Sequence, residues 1–129
     1  MVVLESVLVD SDILIKAYRG IKTKQENLKL LKDKYCISVI TACELLNGAK
    51  NLNQRSEFNK VLRYYHVISI EEKISEIAFS LFKKYSFTSK MKISDAFIAA
   101  TAIRNDLLIY TDNKKDFDFI EGIKFYKEK

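Results

Sequence analysis

Short apolar runs and stretches with helical spacing of their hydrophobic positions alternate along this chain. An unbroken apolar run of this length predicts a buried strand. We expect strands at residues 7–9, 35–39, 67–70 and 107–111, and a possible fifth at 123–126. Strands that alternate with helices favour βαβ units and a mostly parallel sheet of four or five strands, covered by helices on both faces.

Hydrophobic residues at positions i, i+3, i+4 and i+7 predict amphipathic helices between these strands. We expect helices at residues 13–19, 25–34, 41–50, 57–65, 74–85 and 95–104. Ser94 is a candidate N-cap for the last of them. The clearest apolar stripe, in 74–85, is expected to pack mainly into the core, as are Phe58, Leu62 and Tyr65.

Composition narrows the class of protein. The chain has 129 residues, 48% of them hydrophobic, with no proline and three glycines, so we expect one domain over residues 1–129. No apolar run approaches the roughly 20 residues of a membrane span, and the first residues do not resemble a signal peptide. We therefore expect a cytoplasmic protein whose Cys36 and Cys43 are buried thiols in a reducing compartment.

The formal net charge of +5 is compatible with a polyanionic partner. The lysines, however, are spread along the chain rather than clustered, and many lysine-rich proteins are merely soluble. Charge alone therefore does not decide between a nucleic-acid partner and simple solubility.

Acidic residues follow several of the predicted strands. Ligand sites in open parallel sheets lie beyond the carboxyl ends of the strands. Asp10 ends the first strand, Asp112 and Asp116 follow the fourth, Glu44 lies in the helix after the second, and Asp95 lies in the first turn of a helix. Four of these acids can thus converge on one edge of the sheet.

Each acid taken alone also has a structural explanation, such as a turn, a solvated helix position or a favourable place at a helix N-terminus. Their apolar sequence surroundings favour a site, because an unpaired carboxylate is costly to bury. Few basic residues lie near them in sequence. A divalent cation would neutralise several converging carboxylates, and hard oxygen ligands select magnesium or manganese.

Four segments in order resemble the motifs of PIN domains, and within that family those of the VapC toxins of VapBC toxin–antitoxin pairs. The segments are VLVDSDILI at 7–15, SVITACEL at 38–45, ISDAFIAATA at 93–102 and TDNKKDF at 111–117. Their order, spacing and the total length all fit, so the resemblance extends over essentially the whole chain.

This resemblance implies a three-layer α/β/α fold and a metal-dependent endoribonuclease. It implies an acidic catalytic and metal site made by Asp10, Glu44, Asp95 and Asp116, with Mg²⁺ or Mn²⁺ as cofactor. Asp12, Ser38, Thr111 and Asn113 would support it. Asp12 departs from the Asn, Ser or Thr frequent at its position and either adds charge or caps the first helix. The resemblance also implies an RNA substrate, a small cognate antitoxin and a two-fold homodimer.

Three other classes of protein share parts of this pattern. A HAD-like phosphatase would use Asp10, Asp12, Asp112 and Asp116 but leaves Glu44 and Asp95 without roles. A receiver domain needs a strand in the middle of the chain, and residues 50–57 do not predict one. The third alternative is a catalytically inactive PIN-fold module that only binds RNA or protein.

Overall fold

The computed structural model describes residues 6–129 as helices on both faces of a parallel sheet. Within those residues the strands are β1 (Val7–Val9), β2 (Tyr35–Ser38), β3 (His66–Ile68) and β4 (Leu108–Tyr110). All neighbouring pairs are parallel, in the order β3-β2-β1-β4. The predicted three-layer α/β/α class is therefore confirmed.

Six helices connect and flank these strands in the same part of the chain. They are α1 (Ser11–Tyr18), α2 (Lys22–Leu31), α3 (Val39–Asn47), α4 (Leu52–Leu62), α5 (Glu72–Tyr85) and α6 (Ile93–Asn105), with 3₁₀ turns at Lys32–Lys34 and Lys114–Asp116. Gly20, at a φ of 93°, makes the turn between α1 and α2 that a side chain would disfavour.

The strands are continuously apolar because both of their faces are buried. Side chains alternate across a strand, so Leu8 and Ile109 pack toward α5 and α6, on one face of the sheet. Val7, Val9 and Tyr110 pack on the opposite face, where α1 to α4 contribute Ile13, Leu14, Leu31, Leu45 and Phe58. The sheet thus separates two hydrophobic clusters.

The stripe of α5 packs into this core, as expected for most of its residues. Ile74 and Ala78 are buried, and Ile77, Leu81, Phe82 and Tyr85 pack partly buried against the same cluster. Phe58, Leu62 and Tyr65 belong to the cluster on the other face of the sheet. They therefore do not extend the surface of α5.

All six helices begin two to five residues earlier than predicted, and the largest difference, in α4, has a local cause. Helix α6 begins at Ile93, so Ser94 lies inside the helix; the N-cap position is Lys92, whose side chain makes no capping bond. Helix α4 begins five residues earlier than predicted, because the Asn51 side chain accepts a hydrogen bond from the Gln54 N–H at 2.8 Å.

Two further expectations need correction. The possible fifth strand is reduced to a single parallel bridge between Phe125 and Ile109. Cys36 is buried as expected, whereas Cys43 is exposed. The reason is that the buried face of α3 consists of Thr41, Ala42 and Leu45, and Cys43 points away from that face.

Within residues 6–129, no helix is both long enough and apolar enough to cross a bilayer.

Helix α6 supplies much of the core, and its Ile98 is 1% exposed. We predict that Ile98→Ala lowers the free energy of unfolding by about 2–5 kcal/mol, because the lost methyl groups leave a cavity. Leu52→Ala is the control: Leu52 is 85% exposed, and its loss should change stability by less than about 0.5 kcal/mol. Urea denaturation measures both, and equal midpoints for the two variants would contradict the assigned packing of α6.

Candidate active site

The carboxyl ends of β1, β2 and β4 lie side by side at one edge of the sheet. Asp10 directly follows β1, and Glu44 lies on α3, which begins where β2 ends. Asp116 closes the 3₁₀ turn after β4, and Asp95 lies in the first turn of α6. The parallel topology therefore brings these four acids toward one region.

Asp10 is the most buried of the four acids, with 8% of its surface exposed. Its Oδ1 accepts a hydrogen bond from the Ser11 N–H at 2.9 Å and caps α1, while its Oδ2 accepts from the Thr111 hydroxyl at 2.9 Å. Burial, and then the charge of Asp12, raise the pKa of Asp10 to about 7 despite these two bonds. Glu44 adds a smaller upward contribution. Two hydrogen bonds thus fix the orientation of Asp10, but both come from neutral groups and do not compensate its negative charge.

Glu44 is joined to Asp10 through Ser11. The Ser11 hydroxyl donates to Glu44 Oε1 at 3.4 Å, while the Ser11 backbone N–H binds Asp10. Burial raises the pKa of Glu44, and the Ser11 bond and the charge of Lys92 oppose that rise. Ser11 was missed from sequence; its place between Asp10 and Asp12 at the start of a helix is the signal that could have identified it.

Asp95 is electrostatically coupled to both Glu44 and Asp116. Burial and the charge of Asp116 raise the pKa of Asp95 to about 6; Lys92 lowers it and Glu44 raises it. The charge of Glu44 thus acts on both Asp10 and Asp95, and the charge of Asp116 acts on Asp95. Lys92 is a second residue that sequence reasoning missed, and it is the cation whose field reaches both Glu44 and Asp95.

The residues expected to support the site make specific contacts. Thr111 accepts from the Asn113 N–H at 3.0 Å and donates to Asp10. Asp12 Oδ2 accepts from the Asp112 N–H at 3.0 Å and from the Asn113 side-chain amide at 3.2 Å. Since Asp10 is the residue that caps α1, Asp12 does not have that capping role.

Ser38 caps α3 by accepting from the Ile40 N–H at 3.0 Å, and so acts on Glu44 only through that helix.

Asp112 stands apart from the four acids. It forms ion pairs with Lys16 at 2.6 Å and Lys24 at 2.8 Å. Burial opposes ionisation of Asp112, but the bonds from these lysines outweigh it and lower its pKa. The phosphatase alternative, which uses Asp112 and omits Glu44 and Asp95, therefore does not match the observed grouping.

The donor set fits a hard divalent cation. Every candidate ligand is a carboxylate, and oxygen ligands favour Mg²⁺ or Mn²⁺. Asp12 Oδ1 is buried and has no hydrogen-bond partner among residues 6–129. In that part of the chain, no three acidic, histidine or cysteine side chains are already gathered into a cation-binding cluster. Binding an ion would thus require some of the carboxylates to rotate toward one another.

Comparisons with known proteins agree on one family. The PIN-domain family profile matches residues 7–121. The chain is 32% identical over 124 residues to ribonuclease VapC1 of Methanocaldococcus jannaschii, covering 93% of this chain and 86% of that protein. It is also 32% identical over 121 residues to ribonuclease VapC10 of Mycobacterium tuberculosis, covering 92% and 90% of the two chains.

Solved structures show the same fold. A chain of a toxin–antitoxin complex from Klebsiella pneumoniae aligns with a TM-score of 0.79 and 33% identity, over 96% of this chain and all of that one. A chain of DNA-bound VapBC from Salmonella typhimurium aligns with a TM-score of 0.83 at 20% identity, over 95% and 98% of the two chains.

The raised pKa values of Asp10 and Asp95 make stability depend on pH. A carboxyl group whose pKa is higher in the folded state favours folding below its ordinary pKa, and that contribution is lost as pH rises through the folded value. The metal-free protein should therefore lose stability as the pH rises from about 4 to about 7.

We predict that Asp95→Asn, which removes one of these ionisations, is at least as stable as the wild type at pH 7. Thermal unfolding in EDTA across this pH range measures the effect.

Asp112→Asn is the matched control, because the pKa of Asp112 is shifted in the opposite direction. That variant should lose stability at pH 7, since it removes a carboxylate that Lys16 and Lys24 stabilise. Strong destabilisation by Asp95→Asn at pH 7 would instead make Asp95 a structural residue.

Proposed function

Because the chain belongs to the PIN-domain family, we propose that it is a magnesium- or manganese-dependent endoribonuclease and the toxin of a type II toxin–antitoxin pair. The observation that carries this proposal is the coupled group of Asp10, Glu44, Asp95 and Asp116. Within residues 6–129, none of the four forms a salt bridge with a lysine or arginine. Their charge is therefore available to a cation. The names of the VapC relatives, which are called ribonucleases, support the same reaction.

The four acids would hold the ion, and this chain's own residues prepare them. When bound, a divalent cation activates water for attack on phosphorus and neutralises charge on the phosphate. The Thr111 hydroxyl fixes one oxygen of Asp10, and the Ser11 backbone N–H fixes the other. The Ser11 hydroxyl holds Glu44 beside them. Lys92 supplies a positive charge that acts on both Glu44 and Asp95.

The partners follow from the substrate and from the solved relatives. A net charge of +5 favours a polyanion such as RNA. Several similar structures are toxin–antitoxin complexes, which supports a small cognate antitoxin as the inhibitor of this chain. We place the protein in the cytoplasm, where RNA and such a partner occur together, as one PIN domain over residues 1–129.

An inactive module with the same fold is the remaining alternative. It would keep the fold without needing a group of ionisable acids whose burial and mutual repulsion destabilise the protein. The presence of all four acids in one region therefore favours catalysis, and metal-dependent cleavage distinguishes the two possibilities.

We predict that the purified protein cleaves single-stranded RNA with Mg²⁺ or Mn²⁺ and not in EDTA. Asp10→Ala should reduce the rate by orders of magnitude, because water activation and charge neutralisation both depend on the ion. Activity should also fall as salt rises, since phosphate contacts are screened. Cleavage of a labelled RNA pool in EDTA, magnesium and manganese measures this.

Thr111→Val is an informative companion variant, because it removes the hydroxyl that orients Asp10 while keeping the shape of the side chain. We expect it to retain partial activity, between the wild type and Asp10→Ala. Cleavage in EDTA, or by Asp10→Ala at the wild-type rate, would refute the metal-dependent reaction.

An exposed apolar groove between α5 and α6 supports a two-fold homodimer. Phe79 and Ile93 are 63% and 64% exposed at its rim, and Phe82 and Phe97 line it. Large apolar side chains in one exposed patch mark interaction surfaces. The groove includes Ile93, the first residue of α6, and Asp95 lies in the first turn of the same helix. Since a two-fold interface uses the same patch on both copies, a second copy of this chain is the occupant we propose.

We predict that Phe79→Glu converts the dimer to a monomer, because it places a charge in each copy of the patch. Leu52→Glu is the control, since Leu52 is 85% exposed on a helix that packs on the opposite face of the sheet. Light scattering at micromolar concentration measures the molar mass. A monomeric wild type, or a dimer that survives Phe79→Glu, would exclude this interface.

A further inference from the structure

One lysine of this chain is almost completely buried. Lys24 on α2 is 7% exposed, and its Nζ donates to Asp112 Oδ1 at 2.8 Å and to a carboxylate oxygen of Glu128. Burial lowers the pKa of a lysine, but the hydrogen bonds that Lys24 donates to these two carboxylates outweigh burial and raise its pKa. Lys24 is therefore a charged group held between two acids from distant parts of the chain.

Its first partner, Asp112, lies in the segment that orients the candidate active site. The backbone N–H of Asp112 donates to Asp12 Oδ2 at 3.0 Å. The preceding residue, Thr111, donates to Asp10, and the following residue, Asn113, donates to Asp12. Three consecutive residues thus hold the two carboxylates at the start of α1.

The second partner, Glu128, belongs to the C-terminal segment, which is hydrogen-bonded to the same face of α2. Asn27, 1% exposed and one turn beyond Lys24, accepts from the Tyr126 hydroxyl at 2.7 Å and from the Lys129 N–H at 2.8 Å. Its own amide donates to the Thr23 carbonyl at 2.8 Å. Lys24 is thereby held by the C-terminal segment as well as by Asp112.

Lys16 contributes a second bond to Asp112, at 2.6 Å, but its side chain is 43% exposed. Exposed ion pairs contribute little, because solvent screens them and the side chains lose entropy. Removing the partner of a buried charge is much more costly, because the buried charge is left uncompensated. Of the two lysines, Lys24 is therefore the one expected to hold Asp112 in place.

We propose that Lys24 is a positioning residue: through Asp112 it fixes the segment 111–113, and through that segment the orientation of Asp10 and Asp12. Asp112 and Asn113 are exposed on a loop, where backbone hydrogen bonds to carboxylates persist only if the loop is anchored. The ion pair between the buried ammonium group of Lys24 and Asp112 is that anchor. The activity part of the test rests on the proposed ribonuclease function, whereas the exchange part does not.

The experiment compares Lys24→Met, Asp112→Asn, the double variant and Lys24→Arg. Asp112→Asn keeps the backbone N–H that binds Asp12 and removes only the ion pairs. We expect each single variant to lower kcat for RNA cleavage by about 10- to 100-fold, as loss of a group that orients a metal ligand does, with KM unchanged. The double variant should be no slower than the slower single variant, because both changes break the Lys24–Asp112 pair through which the two residues are proposed to act. Lys24→Arg should recover part of the rate.

Hydrogen exchange of the metal-free protein provides a readout that does not depend on activity. Lys24→Met and Asp112→Asn should accelerate exchange of the Asp112 and Asn113 amides, whose acceptors are Asp12 and Thr111. Amides of α6 should exchange as in the wild type if the fold is intact. Lys73→Met, which breaks only the exposed pair of Lys73 with Glu76, is the matched control and should leave both readouts unchanged.

The alternative role for Lys24 is direct contact with an RNA phosphate, and it predicts the opposite pattern. Lys24→Met would then raise KM, and Asp112→Asn would lower KM by freeing a cation. That pattern, or unchanged exchange at Asp112 and Asn113, would overturn the proposal. If Lys24→Met does not fold, Asp112→Asn decides the matter by the same two measurements, because Asp112 lies at the surface. A wild type that does not cleave RNA would refute the ribonuclease function and leave the exchange test to decide the positioning role.

Discussion

The carboxylate of Asp10 lies at the carboxyl end of β1, between β2 and β4, and is almost completely buried there. It receives hydrogen bonds from the Ser11 N–H and the Thr111 hydroxyl, but neither of these brings a positive charge. Burial and the neighbouring carboxylates therefore raise its pKa to about 7. A protein that keeps such a group accepts a cost in stability, and costs of this kind occur at functional sites. The surrounding arrangement is consistent with a site that a cation completes.

The way in which the acids are held ties the site to the fold. Asp10 caps α1, and Ser38 caps α3, the helix that carries Glu44. The start of each of these helices is therefore also part of the site's framework. Helices on both faces of the sheet contribute to the candidate site, since Asp95 belongs to α6, which packs on the face opposite α1 and α3. This chain belongs to the PIN-domain family. In its fold, the edge of the sheet sets the spacing of the acids of the candidate site.

The basic residues divide the acids into two groups. Lys16 and Lys24 neutralise Asp112, and Lys24 also pairs with Glu128. Asp10, Glu44, Asp95 and Asp116 have no such partner within residues 6–129. Lysines that look evenly scattered along the sequence thus have distinct electrostatic roles once the chain is folded. The paired acid stabilises the structure, whereas the unpaired acids leave a region of negative charge that metal binding can use.

Periodicity along the chain predicted the four strands and the six helices, and motif order singled out the four acids, because both depend on residues close together in the chain. Asn51 and Ser94 show where local reasoning stops, since two similar polar residues near helix starts behave differently, and only Asn51 finds a free N–H to cap. Three features became visible only in the folded chain: Ser11 joins Asp10 to Glu44, Cys43 is exposed, and Lys24 reaches Asp112, 88 residues away. Hydrogen bonds and ion pairs of this kind form between groups that only the packing of the sheet and helices brings together, so no pattern along the chain encodes them.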